Sequence, residues 1–583
     1  MNRSTLPLLW STRLALVALA VLAGGPAPAA GPRDELLRFV PPDAAFCVLL
    51  QNLRQHGNDL AASPFVAKVA QTPLGQAAGG LAEVRQLLKF EKDVERFTGL
   101  TPQRLRDDVL GDLVVLAYQP GPPGKPDQEA GLILVHARDA KALSALVQHV
   151  NDTQKKSGEL KGLEERTHRG QRYVRREEKD SANYYHLRGR VLLFSSQEGM
   201  LRRALEQDAD LAAEAAGPVA ASVRRLGVGD ALAAFWVNPR AFDAALADKL
   251  LQAGPDEAAG LKTLQAYWKA LDALAFAVHL DAELAVSLAV SARPDDLPPA
   301  GRTFFARLAE PSRLWAALPD EPLFALAARL DLKALLLAWA EFLPQGQRDT
   351  VLGDLQRYLG APLGKKLVEE LLPAVGPDLS VVVLPPPREQ KGFFPSVLLA
   401  LRVPPSGESA PVGEALASGL NTLATLVVWG HNAKNPGKPL EARRVTLDKI
   451  HVHYLAGDAA LPAGFRPAYA LARGHLVLAS SPDAIRTLSV LLSEDAAAPP
   501  VPTGPIPVLR VSVQAWRDYL RDRRADIVKH LVEVDGQQTD EVQARLDGLL
   551  AGLEYVDRLE VRHRPEPGRM LLQISLRTRW PLR

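Results

Sequence analysis

His451-Val452-His453 is the most chemically suggestive spacing in the chain. Alternate residues of a strand share a face, so two imidazoles placed this way could bind one metal ion. A third and a fourth ligand are needed as well, and none is evident nearby. Ser195 and Ser480 follow apolar runs and could be proposed as nucleophiles, but helix capping accounts for both. Gly121–Lys125 (GPPGK) has the flavour of a phosphate loop. The motif needs Lys followed by Ser or Thr, whereas Pro126 follows Lys125 and offers no N–H to a phosphate. Arg166–Asp180 (RTHRGQRYVRREEKD) is the densest basic stretch, yet Glu177, Glu178 and Asp180 neutralise much of it. It reads as a solvated hairpin face. The lone cysteine, Cys47, lies in the apolar run Ala45–Leu50 and reads as a small buried hydrophobe. There is no G-x-S-x-G elbow and no H-E-x-x-H. The sequence therefore nominates no catalytic, cofactor-binding or metal-ligating residue and no cofactor. A site assembled from scattered residues stays open, because such sites are defined by geometry.

The bulk composition narrows the partners. The 583 residues carry 69 Lys and Arg against 67 Asp and Glu, a net charge of +2, with 47% hydrophobic residues. That balance supplies no field for gathering nucleic acid. A single thiol forms no intramolecular disulfide and no multi-cysteine zinc site. At the N-terminus, Arg3 and Arg13 flank the apolar run Leu14–Ala23, and Gly24-Gly25-Pro26 and Ala27-Pro28-Ala29 follow. This is the pattern of a signal peptide over residues 1–29. The run is short for a bilayer span, which favours cleavage over retention as an anchor. No transmembrane segment is expected in the mature chain.

The elements that would hold any site read as two tandem copies of one unit, 30–296 and 297–583. Val191–Leu205 (VLLFSSQEGMLRRAL) matches Leu476–Leu488 (LVLASSPDAIRTL), each an apolar strand, a Ser-Ser pair and an amphipathic helix. Ser195 with Glu198, and Ser480 with Asp483, have capping-box spacing. Arg188-Gly189 and Arg473-Gly474 precede the two strands as hairpin turns. Pro42-Asp43 matches Pro319-Asp320, and Gly111-Asp112 matches Gly376-Pro377-Asp378, each ahead of a strand. Strand-helix pairs follow at Gly131–Val135 with Ala140–Val150, and at Val397–Arg402 with Val412–Val428. Closing hairpins are expected at Leu274–Leu280 with Leu284–Val290, and at Leu559–His563 with Met570–Leu576. The Pro/Asp-rich stretch Arg293–Ala300 marks the boundary. Interspersed helices and short hairpins predict an α+β fold with mixed or antiparallel sheet and packed helices, expected on one face. His451 and His453 then correspond approximately to Tyr173 and Arg175 of the first copy, which cannot build the same metal site.

In order, the "PPDAAF" opening, the Gly-Asp strand, "GLILVHARDAKAL" and "VLLFSSQEGMLRRAL" resemble the bacterial exported family called domain of unknown function 3352. The resemblance spans nearly the whole mature chain if both copies count. It implies an exported α+β protein and carries over no activity or site residue. The expectation is a periplasmic or secreted, non-enzymatic binding or structural module of the cell envelope, whose partner is an envelope protein or a small ligand. The alternatives are an apolar-ligand carrier, or an envelope hydrolase with a scattered active site.

Overall fold

Alternation builds the strands: in Phe46–Gln51, Cys47 and Leu49 point to one face while Phe46 and Val48 point to the other. The computed structural model describes residues 31–72, 94–122, 128–210, 217–387, 392–403, 410–491, 505–566 and 568–582, with single positions 76, 125 and 389. The expected signal segment, 1–29, and much of the helical stretch Leu60–Val109 lie outside the described residues. In the first half the strands are β1 (Phe46–Gln51), β2 (Leu113–Gln119), β3 (Ala130–His136), β4 (Leu160–His168), β5 (Gln171–Glu178), β6 (Ala182–Arg188), β7 (Val191–Ser195), β8 (Ala233–Val237), β9 (Leu271–Leu280) and β10 (Leu284–Ala292). The second half supplies β11 (Phe324–Arg329), β12 (Asp378–Leu384), β13 (Ser396–Arg402), β14 (Glu441–Leu447), β15 (Ile450–Ala456), β16 (Ala468–Ala472), β17 (His475–Ala479), β18 (Ile506–Ser512), β19 (Val556–Glu566) and β20 (Arg569–Thr578).

All described pairings are antiparallel and join the 20 strands into one sheet. From one edge the order is β4-β5-β6-β7-β3-β2-β1-β8-β9-β10. It continues through β20-β19-β18-β11-β12-β13-β17-β16-β15-β14. Counted from either outer edge, each half places its fourth to seventh strands first, then its third, second, first, eighth, ninth and tenth. The halves meet at β10 and β20, where Leu284 pairs with Leu576 and Ser291 with Arg569.

Helices cover the sheet where sequence lets them approach. Glu198–Asp210 and Pro218–Leu226 press Met200, Leu201, Val219 and Val223 onto one face of the first half. The strands beneath present Ala273, Ala275, Ala277 and Ala289, small enough to admit a helix. Pro218 suits a first helical turn, and Gly227 closes this helix at φ 71°, a left-handed cap that glycine adopts without strain. Helices are not confined to the one face expected: on the opposite face Ala140–Lys156 packs Ala142 and Leu143 near Val114 and Val135, because both faces of these strands are apolar. Its N-cap, Asp139, accepts from the Lys141 and Ala142 amides, and Lys155 and Lys156 complement the helix dipole at its end. In the second half Pro482–Leu491 covers Ala400, Ala470 and Val477, and three helices from Val513 to Leu553 enclose Leu323.

Candidate functional site

The residues that drew attention by type are mostly held in structural roles. His451 and His453 do share a face of β15, but His453 stacks on Tyr469 with ring centroids 5.2 Å apart. His451 Nδ1 lies 3.1 Å from the Thr446 hydroxyl. Burial, with help from Arg444 and His451, depresses the His453 pKa. Among the described residues no group of three or more His, Cys, Asp or Glu is placed to hold a metal ion. Ser195 donates to the Gly131 carbonyl at 2.7 Å and accepts from the Gln197 amide. Of Gly121–Lys125 (GPPGK), residues 123 and 124 lie outside the described residues. Cys47 is free and buried in β1 between Ala117 and Trp236, and desolvation pushes its thiol pKa up.

The two capping boxes do not form. Glu198 turns away from the helix start and gathers Arg166 (2.9 Å), the Tyr173 hydroxyl (2.6 Å) and Arg202 (2.7 Å) on Oε1. Three charge-assisted donors outcompete one backbone amide. Burial opposes its ionisation, yet these donors leave Glu198 below the usual carboxylate range. Ser480 reaches across to β13 instead, accepting from the Val397 amide at 2.9 Å, while Ser481 accepts from the Ala484 amide at the helix start.

Two small cavities stand out among the described residues. One, of about 240 Å³, lies beside Trp315, Asp320 and Arg510. Arg510 stacks over Trp315 at 5.4 Å and donates to Glu560 at 2.8 Å. Burial works against ionisation of Glu560, but its bonds to Arg510 and Arg562 hold it below the usual carboxylate range. The other, of about 170 Å³, sits where the halves join, beside His279, Ser287, Arg562, Arg564 and Gln573. Burial lowers the His279 pKa, so this ring favours the neutral form. Pockets that enclose drug-sized ligands run to about 300–1,000 Å³, so either cavity suits an ion or a very small molecule.

The larger unpartnered features are apolar. On the sheet face away from the Pro218–Leu226 helix, Phe235 pairs with Phe276 and Val286 with Ile574, and all four side chains are exposed. Phe276 is 49% exposed. The helix Ala410–Lys434 exposes Leu423, Leu426, Val427 and Trp429. By length and composition, Val412–Lys434 is apolar enough to cross a membrane. The sequence expectation of no such segment after the N-terminal run passed over it, because Ser, Thr, Asn and Gly dilute its apolar residues.

Two carboxylates, Asp378 buried and Asp112 half-buried, also escaped the sequence reading, which took their motifs only as strand openers. Asp378, 1% exposed, accepts from the Ser312 hydroxyl (2.9 Å) and the Arg313 amide (3.0 Å). Arg402 and Arg329 stand 3.7 and 3.8 Å from its other oxygen. Asp112 lies 3.3 Å from His136, whose other ring nitrogen is 3.5 Å from Glu35. Asp378 tethers the Arg313–Ala317 turn ahead of β11, whereas His136 stands between Asp112 and Glu35 of the Pro32–Leu37 helix ahead of β1. No family model matches the chain, and no curated protein and no solved structure matches it.

Proposed function

We propose that this chain is an exported, non-enzymatic binding or structural module of the cell envelope, formed from two copies of one α+β unit and acting through its surface. The observation that carries the surface reading is the set of exposed apolar side chains at Phe276 with its ladder neighbours and along Ala410–Lys434. Contiguous exposed apolar patches mark interaction sites more often than chance surface.

Ladder register supports the two-copy reading. Setting Ser195 against Ser480 and stepping across β7–β3–β2–β1 and β17–β13–β12–β11 brings Asp112 onto Asp378 and Pro42-Asp43 onto Pro319-Asp320. Asn238 N bonds to the Ala45 carbonyl and Ser512 N to the Pro322 carbonyl, and Asn238 and Ser512 are both N-caps. Turns and caps have few chemical solutions and arise by convergence; a register kept over four strands does not. The same steps set Gln171 and Tyr173 against His451 and His453, two residues away from the sequence alignment. The signal-like N-terminus and the resemblance to domain of unknown function 3352 support export.

A photo-crosslinking amino acid at Phe276, at Leu426, and at the exposed polar control Gln148 tests this reading in the producing cells. Adducts are expected at the two apolar positions in the envelope fraction. Equal labelling at all three positions, or a purely cytosolic protein, contradicts it.

A further inference from the structure

We propose that the Ala410–Lys434 helix docks on an anionic lipid surface, lying in the headgroup plane and not crossing it. The inference rests on the reading of a surface-acting protein and names the partner of one surface. From Ala415 to Ala433 the helix has no Asp, Glu, Lys or Arg. Leu423, Leu426 and Val427, spaced three and four apart, therefore share a side, and they are exposed at 56%, 58% and 43%, with Trp429 beside them at 74%. An indole gains most where one end of its ring is apolar and the other wet, which is the membrane interface.

Charge around this stripe favours lipid over another apolar protein face. Between Lys434 and Lys449 the chain carries five Lys and Arg (Lys434, Lys438, Arg443, Arg444, Lys449) against Glu441 and Asp448. All seven are exposed, and Glu441 is paired with Arg443. The β14–β15 hairpin that bears most of them packs along the same helix. An apolar stripe ending in a basic rim is the arrangement that binds anionic headgroups while inserting side chains among the acyl chains.

The fold does not demand this surface. Ala140–Lys156, which also follows the third strand of its half, exposes Ser144, Gln148, His149 and Asp152 instead. Crossing the bilayer is opposed by the contacts on the other side of the helix. The Tyr469 hydroxyl donates to Asn421, and Asn432 both accepts from the Leu440 amide (2.7 Å) and donates to its carbonyl (2.9 Å). Leu363 also packs against Gly419, one turn before Leu423 on the stripe's own side, where a Cβ would clash.

The test is flotation of the full mature chain with vesicles of phosphatidylglycerol and phosphatidylethanolamine, against phosphatidylcholine alone. Wild type should float with the anionic vesicles, less so at high salt. The double variant Leu426→Glu/Trp429→Glu, at sites exposed enough to leave folding intact, should lose about tenfold or more in partition. Lys434→Ala/Lys438→Ala should lose about tenfold on anionic vesicles. Circular dichroism checks that each variant is folded. Three results overturn the proposal: no flotation of wild type, equal flotation of wild type and Leu426→Glu/Trp429→Glu, or a wild-type dimer that this variant abolishes. Failure here with crosslinks still forming at Phe276 removes the lipid partner and leaves the broader reading standing.

Discussion

Replacing Asp378 with alanine isolates one tether between β12 and the Arg313–Ala317 turn. The carboxylate is buried and satisfies the Ser312 hydroxyl and the Arg313 amide, while Arg329 and Arg402 lie under 4 Å away. Each buried donor left without an acceptor costs about 1–2 kcal/mol. Arg329 keeps its bond to Glu310, so the lost ion pair adds less than a wholly stranded charge would. The sum is about 3 kcal/mol, felt first in the Arg313–Ala317 turn. Hydrogen exchange read by mass spectrometry on a peptide covering residues 312–318 is the assay, since local opening is measured there directly. At about 1.4 kcal/mol per decade, exchange should quicken roughly 100-fold. Asp378→Asn keeps one acceptor and should quicken it about tenfold. A change under about threefold in the alanine variant, or the same loss of protection everywhere, refutes the reasoning.

Cys47 should resist a thiol reagent in the native chain and react only on unfolding, since burial raises its pKa; complete native labelling within minutes contradicts that. Burial lowers the pKa of His563 in the fold. The unfolded chain therefore takes up the proton first: stability is full above about pH 6.5 and falls as pH drops from there through the folded pKa. The urea midpoint should drop between pH 7.5 and 5.5, and His563→Phe should shrink that drop; an unchanged pH dependence in the variant counts against the assignment. Ala275→Leu forces a larger side chain beneath the Pro218–Leu226 helix and should cost about 1–3 kcal/mol, read as a lowered melting temperature. A melting temperature equal to wild type would show that the alanine row is not needed for helix approach.

Strand positions were legible because alternation is local: Leu284–Val290 and Met570–Leu576 fall within β10 and β20. The pairing between them was not, since nothing in either segment specifies a partner 285 or so residues away. The edge strand Glu441–Leu447 was missed for a different reason. Its first four residues, Glu-Ala-Arg-Arg, are all exposed, so no apolar alternation marks it. For the capping boxes, S-x-x-E spacing was present at Ser195 and Glu198, but long-range arginines and Tyr173 claimed the carboxylate. The apolar stripe of Ala410–Lys434 was visible as a helix. Whether Leu426 and Trp429 face a core or open space is decided only by what packs around them.

The two halves of the chain join strand to strand through β10 and β20. A double-cysteine pair across that junction, Val286→Cys with Ile574→Cys in a Cys47→Ser background, tests it directly, because the two residues are direct partners in the ladder. Under mild oxidation an intramolecular disulfide should form in the native chain. The control Val286→Cys with Gln573→Cys, one residue out of register and on the opposite face, should stay reduced. No disulfide in the first pair, or one in the control instead, would contradict the single continuous sheet.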